Sequence, residues 1–305
     1  MTSALQSRPV LAAPSSPQSS LPATWTVLDV VRWTTARFAE RGLGTPRLDA
    51  ELLVAHVLAL PRVQLYVQFE RVLTPEELSA LRDLIKRRQA GESIAYLTGR
   101  KEFWKFELAV DARVLVPRPD TETLVEEALA RLGEPDGPAA RIADIGTGSG
   151  ALAITLAKLR ADAAVFAVDV SAAALEVARG NAERLGATVT FVEGDLGAPL
   201  AAHAPFSLIV ANLPYIPTGD LPSLPADVRS EPALALDGGA DGLDVVRRLV
   251  ADAPALLAPG GVLALEIGVG QAEPTCALLQ AAGFTDVQTR KDLAGIDRVV
   301  SGVKP

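Results

Sequence analysis

The stretch VANLPYI, residues 210 to 216, ends an apolar run in an amide, a leucine, a proline and an aromatic ring. Asn and Pro end strands in many proteins, so a plain turn accounts for these residues taken alone. A specific chemistry also fits them. A planar NH2 group, on an amide or an arylamine, has a delocalised lone pair and is a poor nucleophile. Two acceptors aimed at its two N–H bonds can draw that nitrogen toward tetrahedral geometry. The Asn212 side-chain oxygen and the Leu213 backbone carbonyl are two such acceptors. Pro214 stiffens the turn, and the Tyr215 ring can pack on a flat substrate group.

Three other strand ends carry candidate chemistry. In DIGTGSGAL, residues 144 to 152, Gly146, Gly148 and Gly150 alternate with Thr147 and Ser149. Glycines there let backbone turn tightly and approach a ligand, and the following helix offers free N–H groups to an anionic group. With Ala151 the run also satisfies the loose dinucleotide form G-x-G-x-x-A, so a nicotinamide cofactor and S-adenosylmethionine both fit. Asp169 ends the next strand, where an acid can accept from both ribose hydroxyls or simply cap a helix. Asp195 and the Leu196 backbone end the third, placed to meet an adenine edge or to make a turn. Asn212 separates the two cofactors. A dehydrogenase needs a proton donor or acceptor beside the hydride site, and no His, Lys or Tyr is evident for it. A sulfonium makes its methyl group electrophilic enough that no strong base is needed.

These positions require a mostly parallel sheet with ligands at the carboxyl ends of its strands. From Arg141 onward, strand-like and helix-like runs alternate as that architecture demands. AYLTGRKEFWKFELAVDARVLVP has the alternating runs of strands and reads as a hairpin, and GLDVVRRLVADAPALLAPGG reads as helical. Residues 24 to 91 read as helices. Thr45 is expected to cap one of them ahead of Pro46, and Thr74 with Glu77 forms a capping box on another that Gly91 stops. The expected organisation is a disordered tail over 1–22 (or a start codon assigned too early), a helical domain over 23–91, a β-hairpin linker over 92–117 and a catalytic α/β domain over 118–305.

Composition narrows the function classes. The chain has 305 residues, 49% of them hydrophobic, and a net charge of −8. That charge argues against coating nucleic acid with the whole surface. One cysteine, Cys276, rules out an internal disulfide and fits a cytoplasmic protein. With only His56 and His203 beside it, neither a Cys/His zinc site nor a Cys–His catalytic pair has support. No run of about 18 apolar residues suggests a membrane span.

The ordered segments GESIAYLTGRKEFW, VLVPRPDTETLVEEAL, DIGTGSGALAITLA, AVDVS, IVANLPYIP, VRSEPALALDGGADGLDVVRRL, PGGVLALEIGVGQ and DLAGIDRVV resemble the HemK/PrmC release factor glutamine methyltransferases. The likeness runs from about Arg47 to Gly302. It implies a seven-stranded class I S-adenosylmethionine-dependent methyltransferase domain behind a helical domain and a hairpin. It implies methylation of the glutamine in the GGQ motif of class I peptide chain release factors; hydropathy and net charge add the expectation of no membrane and no direct nucleic-acid partner. By motif, Gly146 to Gly150 would meet the donor's methionine part, Asp169 its ribose, and Asp195 with Leu196 its adenine. Asn212 to Tyr215 would hold the substrate glutamine, with Phe103, Arg118, Asp120 and Glu122 bordering the pocket.

One departure matters. The family usually has Asn-Pro-Pro-Tyr, and here Leu213 is second. Its carbonyl remains available, so activity is expected to survive with some loss of stiffness. Asn-Leu-Pro-Tyr also resembles the ribosomal RNA adenine dimethyltransferases, which makes adenine a rival substrate. A glutamine in a large-subunit ribosomal protein is another, and an inactive binding protein that keeps the fold is a third reading.

Overall fold

β3 (Arg141–Ile145) is buried on both faces, which is why it reads as a continuous apolar run and not as an alternating one. Ala143 and Ile145 enter the core cluster on one face, and Ile142 enters the cluster on the other. The computed structural model describes residues 24–133 and 139–305. The expected tail over 1–22 lies outside them, as does most of the Gly/Pro-rich GEPDGPAA.

The helical region comprises α1 (Val27–Glu40), α2 (Pro46–Val57), α3 (Arg62–Val67) and α4 (Pro75–Gln89). A capping box starts α1, with the Asp29 amide donating to Thr26 Oγ1 over 3.2 Å and the Thr26 amide to Asp29 Oδ2 over 3.1 Å. The expected box on α4 forms likewise between Thr74 and Glu77. Thr45 is an exception: its hydroxyl donates to Asp49 Oδ1 at 2.7 Å and caps no backbone amide. Pro46 carries no N–H to satisfy at the first position, and the Asp49 amide donates to the Thr45 carbonyl at 2.9 Å.

α5 (Ile94–Thr98), β1 (Arg100–Phe103) and β2 (Phe106–Ala109) follow. The hairpin is shorter than expected, because AYLT is helical. Ser93 Oγ caps it through the Tyr96 amide at 3.2 Å, and Gly99 closes it at φ 71°. The Val114-Leu-Val-Pro run is not a strand; it is held by the Tyr96 hydroxyl, which donates to the Val114 carbonyl at 2.6 Å.

α6 (Glu122–Leu132) leads into β3, and α7 (Ala151–Leu159), β4 (Ala164–Asp169), α8 (Ala172–Leu185), β5 (Val189–Glu193), β6 (Phe206–Ala211), a short 3-10 turn (Thr218–Ser223), α9 (Ala226–Arg229), α10 (Asp244–Leu256), β7 (Leu257–Glu266), α11 (Ala272–Ala281), β8 (Thr285–Lys291) and β9 (Asp297–Val303) complete the chain. β7 starts at Leu257, within the stretch expected to be helical, because Leu257 pairs with Phe206 of β6. The sheet order is β5-β4-β3-β6-β7-β9-β8. β3 to β7 pair in parallel, and β9 runs antiparallel to both β7 and β8. α6 and α7 cover one face, and α10 and α11 the other. The strand order reverses between β3 and β6, and a crevice opens there at their carboxyl ends.

The chain divides into two compact units, Met1–Leu81 and Arg82–Pro305. The division falls within α4, ahead of the boundary expected after residue 91. Every residue of the candidate site lies in the second unit. Among the described residues no helix is long and apolar enough to cross a membrane.

Candidate active site

The loop after β3 is shaped from beneath by Asp144, which is fully buried. Its Oδ2 accepts from the Thr147 hydroxyl at 2.7 Å and from the Ala153 amide at 3.1 Å. Burial pushes the carboxyl up to about 7, against the pull of those two bonds. The Thr147 side chain is therefore turned into the protein. Ser149 is buried as well, and its carbonyl accepts from Asn181 Nδ2 at 3.0 Å. Gly150 packs onto α8, where an added Cβ would stand 3.2 Å from the Ala178 Cβ. Of the five residues expected to meet a ligand, Gly146 and Gly148 line the crevice with their backbone. Thr147, Ser149 and Gly150 support it.

Asp169 ends β4 with both oxygens engaged by backbone. Oδ2 accepts from the Gly148 amide at 2.8 Å and Oδ1 from the Ser171 amide at 2.9 Å. Ser171, not Asp169, caps α8, through the Ala174 amide at 3.1 Å. The carboxylate keeps free lone pairs on the cavity side and can accept from vicinal hydroxyls. Asp195 is exposed and paired with Arg248 of α10, a contact that a ligand amino group can displace at little cost. Leu196 is buried beside it at φ 50°, so the backbone carries this turn. Asp169→Ala is expected to raise the dissociation constant for S-adenosylmethionine about 10- to 100-fold, the scale of charged hydrogen bonds. Isothermal calorimetry reads it, and an unchanged affinity would remove Asp169 from donor binding.

These residues enclose a cavity of about 220 Å³, whose wall is completed by Leu213, Pro214, Leu234 and the Arg113–Leu115 segment. A second cavity of about 140 Å³ is lined by Arg118, Tyr215, Ile216, Val228 and Leu236. Asn212 lines both. Its Nδ2 donates to Thr121 Oγ1 at 3.2 Å. Its Oδ1 is buried and has no hydrogen-bond partner. A buried acceptor left unpaired costs about 1–3 kcal/mol, so it is a place for an incoming N–H. Tyr215 stays a neutral phenol, since burial and then the nearby Glu266 charge push its pKa up to about 12. It offers a ring face, not a base.

The loop after β6 is held from outside by residues 236 to 242. The Ile216 amide donates to the Leu236 carbonyl at 3.1 Å, and the Gly238 amide to the Ile216 carbonyl at 2.8 Å. Gln271 Nε2 donates to the Tyr215 carbonyl at 2.9 Å. The glycines of LDGGADG have a steric reason here. A Cβ on Gly238 would stand 2.7 Å from the Pro214 carbonyl oxygen, and one on Gly242 2.2 Å from that of Tyr215. Leu213 is buried in the core, with its Cδ2 against Gly146. Packing thus supplies stiffness that a proline ring would otherwise give.

A family model for the PrmC N-terminal domain matches residues 29–99, and one for a methyltransferase domain matches residues 142–230. A release factor glutamine methyltransferase of Geobacter sulfurreducens is 48% identical over 282 residues, covering 92% of this chain and 98% of that protein. The chain belongs to the release factor glutamine methyltransferase family. Its relative in Moorella thermoacetica is 48% identical, covering 86% of this chain and 93% of that one. A methyltransferase structure from Pyrococcus furiosus, 20% identical, shares the fold with a TM-score of 0.51 over 74% of this chain and 98% of that chain.

Two residues expected at the pocket of this release factor glutamine methyltransferase family member lie elsewhere. Phe103 is 1% exposed and packs in the core with Leu108 and Leu124, lining neither cavity. An aromatic at a hairpin end reads alike whether it faces core or ligand. Glu122 accepts from the Trp104 amide at 2.8 Å and so fixes the hairpin turn, where Trp104 has φ 57°. Arg118 does line the second cavity, and its Nη2 donates to the buried Glu231 at 2.5 Å. Asp120 lies 3.6 Å from Arg298. Sequence reasoning passed over Thr121, Gln271 and Glu266. Thr121 lies inside VLVPRPDTETLVEEAL, but its partner at 212 is ninety-one positions away.

Proposed function

We propose that this protein transfers a methyl group from S-adenosylmethionine to the side-chain amide nitrogen of the glutamine in the GGQ motif of class I peptide chain release factors. The observation that carries the reading is Asn212, which lines both cavities and whose buried Oδ1 has no hydrogen-bond partner. The first cavity suits an adenosyl group: Gly148 opens onto it with no atom within 4 Å of an added Cβ, and the Asp169 carboxylate borders it. When bound, S-adenosylmethionine supplies an electrophilic methyl on a sulfonium.

The chain's own residues then prepare the nitrogen. Asn212 Oδ1 accepts one amide N–H and the Leu213 carbonyl the other. Held this way, the nitrogen is turned out of conjugation and its lone pair is freed toward the methyl; the N–C bond forms as the S–CH3 bond breaks to leave a neutral thioether, and the nitrogen gives up one of its two protons to water. The Tyr215 ring packs on the flat carboxamide. Membership of the release factor glutamine methyltransferase family, with 48% identity across nearly the whole of one relative, supports a glutamine over an adenine. The site of action is the cytoplasm, where release factors work.

Mass spectrometry of a purified release factor, after incubation with this protein and S-adenosylmethionine, tests the reading. One added methyl on the GGQ glutamine is expected. No gain, with donor binding still seen by calorimetry, would reject the release factor and direct the search to ribosomal protein or ribosomal RNA.

A further inference from the structure

Glu266 is the last residue of β7 and is 1% exposed. Its two carboxylate oxygens are buried without a hydrogen-bond partner. A charged group is costly in such a place unless something uses it. In the parallel register of β6 and β7, Ala211 pairs with Leu265, so Asn212 and Glu266 follow side by side at the strand ends, and the Thr121 hydroxyl, the Asn212 amide and the Arg298 guanidinium hold the carboxyl's pKa down. Those first two are the pair already joined by the Asn212 Nδ2 to Thr121 Oγ1 bond.

A carboxamide can sit either way round with nearly the same shape. Turned one way, Asn212 presents an acceptor to the second cavity; turned the other, it presents a donor that repels an incoming NH2 group. A carboxylate decides between them because it only accepts. Accepting a hydrogen bond from the Thr121 hydroxyl, it leaves the Thr121 Oγ1 lone pairs to accept from Asn212 Nδ2. Both inward positions are then filled by N–H and O–H donors, and Oδ1 is left facing the substrate. We infer that Glu266, acting through Thr121, is the positioning residue that fixes the orientation of the Asn212 carboxamide. This rests on the amide-clamp reading of Asn212.

The form that does this is the carboxylate. Burial raises its pKa to about 7, with the Asp120 charge also raising it and Arg298 lowering it. Arg298 is itself paired with Asp292 at 3.1 Å, and Tyr215 is a neutral phenol at these pH values. Below that pKa the protonated Glu266 can donate to Thr121 or Asn212, and the orientation is no longer specified. The rate is therefore expected to rise as pH is raised through about 7.

The test uses the full chain and two readouts. In the ¹⁵N-labelled protein without donor, the Asn212 side-chain NH2 signals should shift with a midpoint near neutrality, and the shift should vanish in Glu266→Gln. In release factor methylation, Glu266→Gln and Thr121→Val should lower kcat ~10-fold or more at pH 8 and flatten the limb near neutrality, with donor affinity unchanged. Thr121→Ser, which keeps the hydroxyl, should retain activity and guards against a simple folding defect. No pH-dependent shift of the Asn212 signals, or wild-type kcat and pH profile in Glu266→Gln, would overturn the inference. A shift seen in a wild-type protein that methylates no amide would uphold the orientation lock and reject the glutamine substrate.

Discussion

Asn212→Ala is expected to lower kcat for methyl transfer by roughly 10² to 10³-fold, the usual loss on removing one aimed polar group at a reacting centre. The reason is local. Asn212 Oδ1 is a buried acceptor with no partner in the protein, so the interaction it makes with substrate breaks no hydrogen bond within the chain. Truncation also leaves Thr121 Oγ1 without its donor. Donor affinity should move by less than about threefold, since the first cavity keeps Gly146, Gly148 and Asp169. Radiolabel transfer paired with donor calorimetry separates the two effects. Turnover equal to wild type would end the clamp argument, and a parallel loss of donor binding would recast Asn212 as a donor contact.

Gly242→Ala should be nearly as damaging although its Cα touches no ligand. The added Cβ would stand 2.2 Å from the Tyr215 carbonyl oxygen and 2.6 Å from Gln271 Nε2, and Gly242 has φ 79°. Something must move. The soft element is the loop carrying Asn212 to Tyr215, because Gln271 Nε2 is what holds the Tyr215 carbonyl. The expected outcome is a fall in kcat of about 10²-fold, the scale of an ångström of misplacement. Left-handed backbone on alanine adds a stability cost of about 1–2 kcal/mol. Gly219→Ala is the control: nothing stands within 4 Å of its added Cβ, and stability should stay within about 0.5 kcal/mol. Full activity in Gly242→Ala would show that the LDGGADG segment does not set the loop's position.

The residue types that do chemistry were legible in the linear sequence because parallel α/β topology repeats one rule. Each strand ends on the same edge, so Gly146, Asp169, Asp195 and Asn212, each just after or at the end of an apolar run, had to converge there. Helix starts written by residues three apart were equally legible, as at Thr74 and Glu77. Local competition already blurred this at Thr45, where a nearby carboxylate took the hydroxyl that could have capped a helix. The AYLT segment turned helical for a similar reason, once Ser93 capped it and Gly99 closed it.

What stayed hidden are the partners that arrive from distant elements. Thr121 meets Asn212 across ninety-one positions, and Glu266 reaches both only because β7 lies beside β6. The same long-range packing sent Phe103 into the core and turned Thr147 toward Asp144, away from the crevice. A single residue's side carries no mark in the sequence of which neighbour will cover it. Spacing along the chain thus chose the chemistry and the edge of the sheet where it happens. The three-dimensional neighbours chose which atoms face the substrate, because hydrogen-bond direction is set by what lies on the far side of each group.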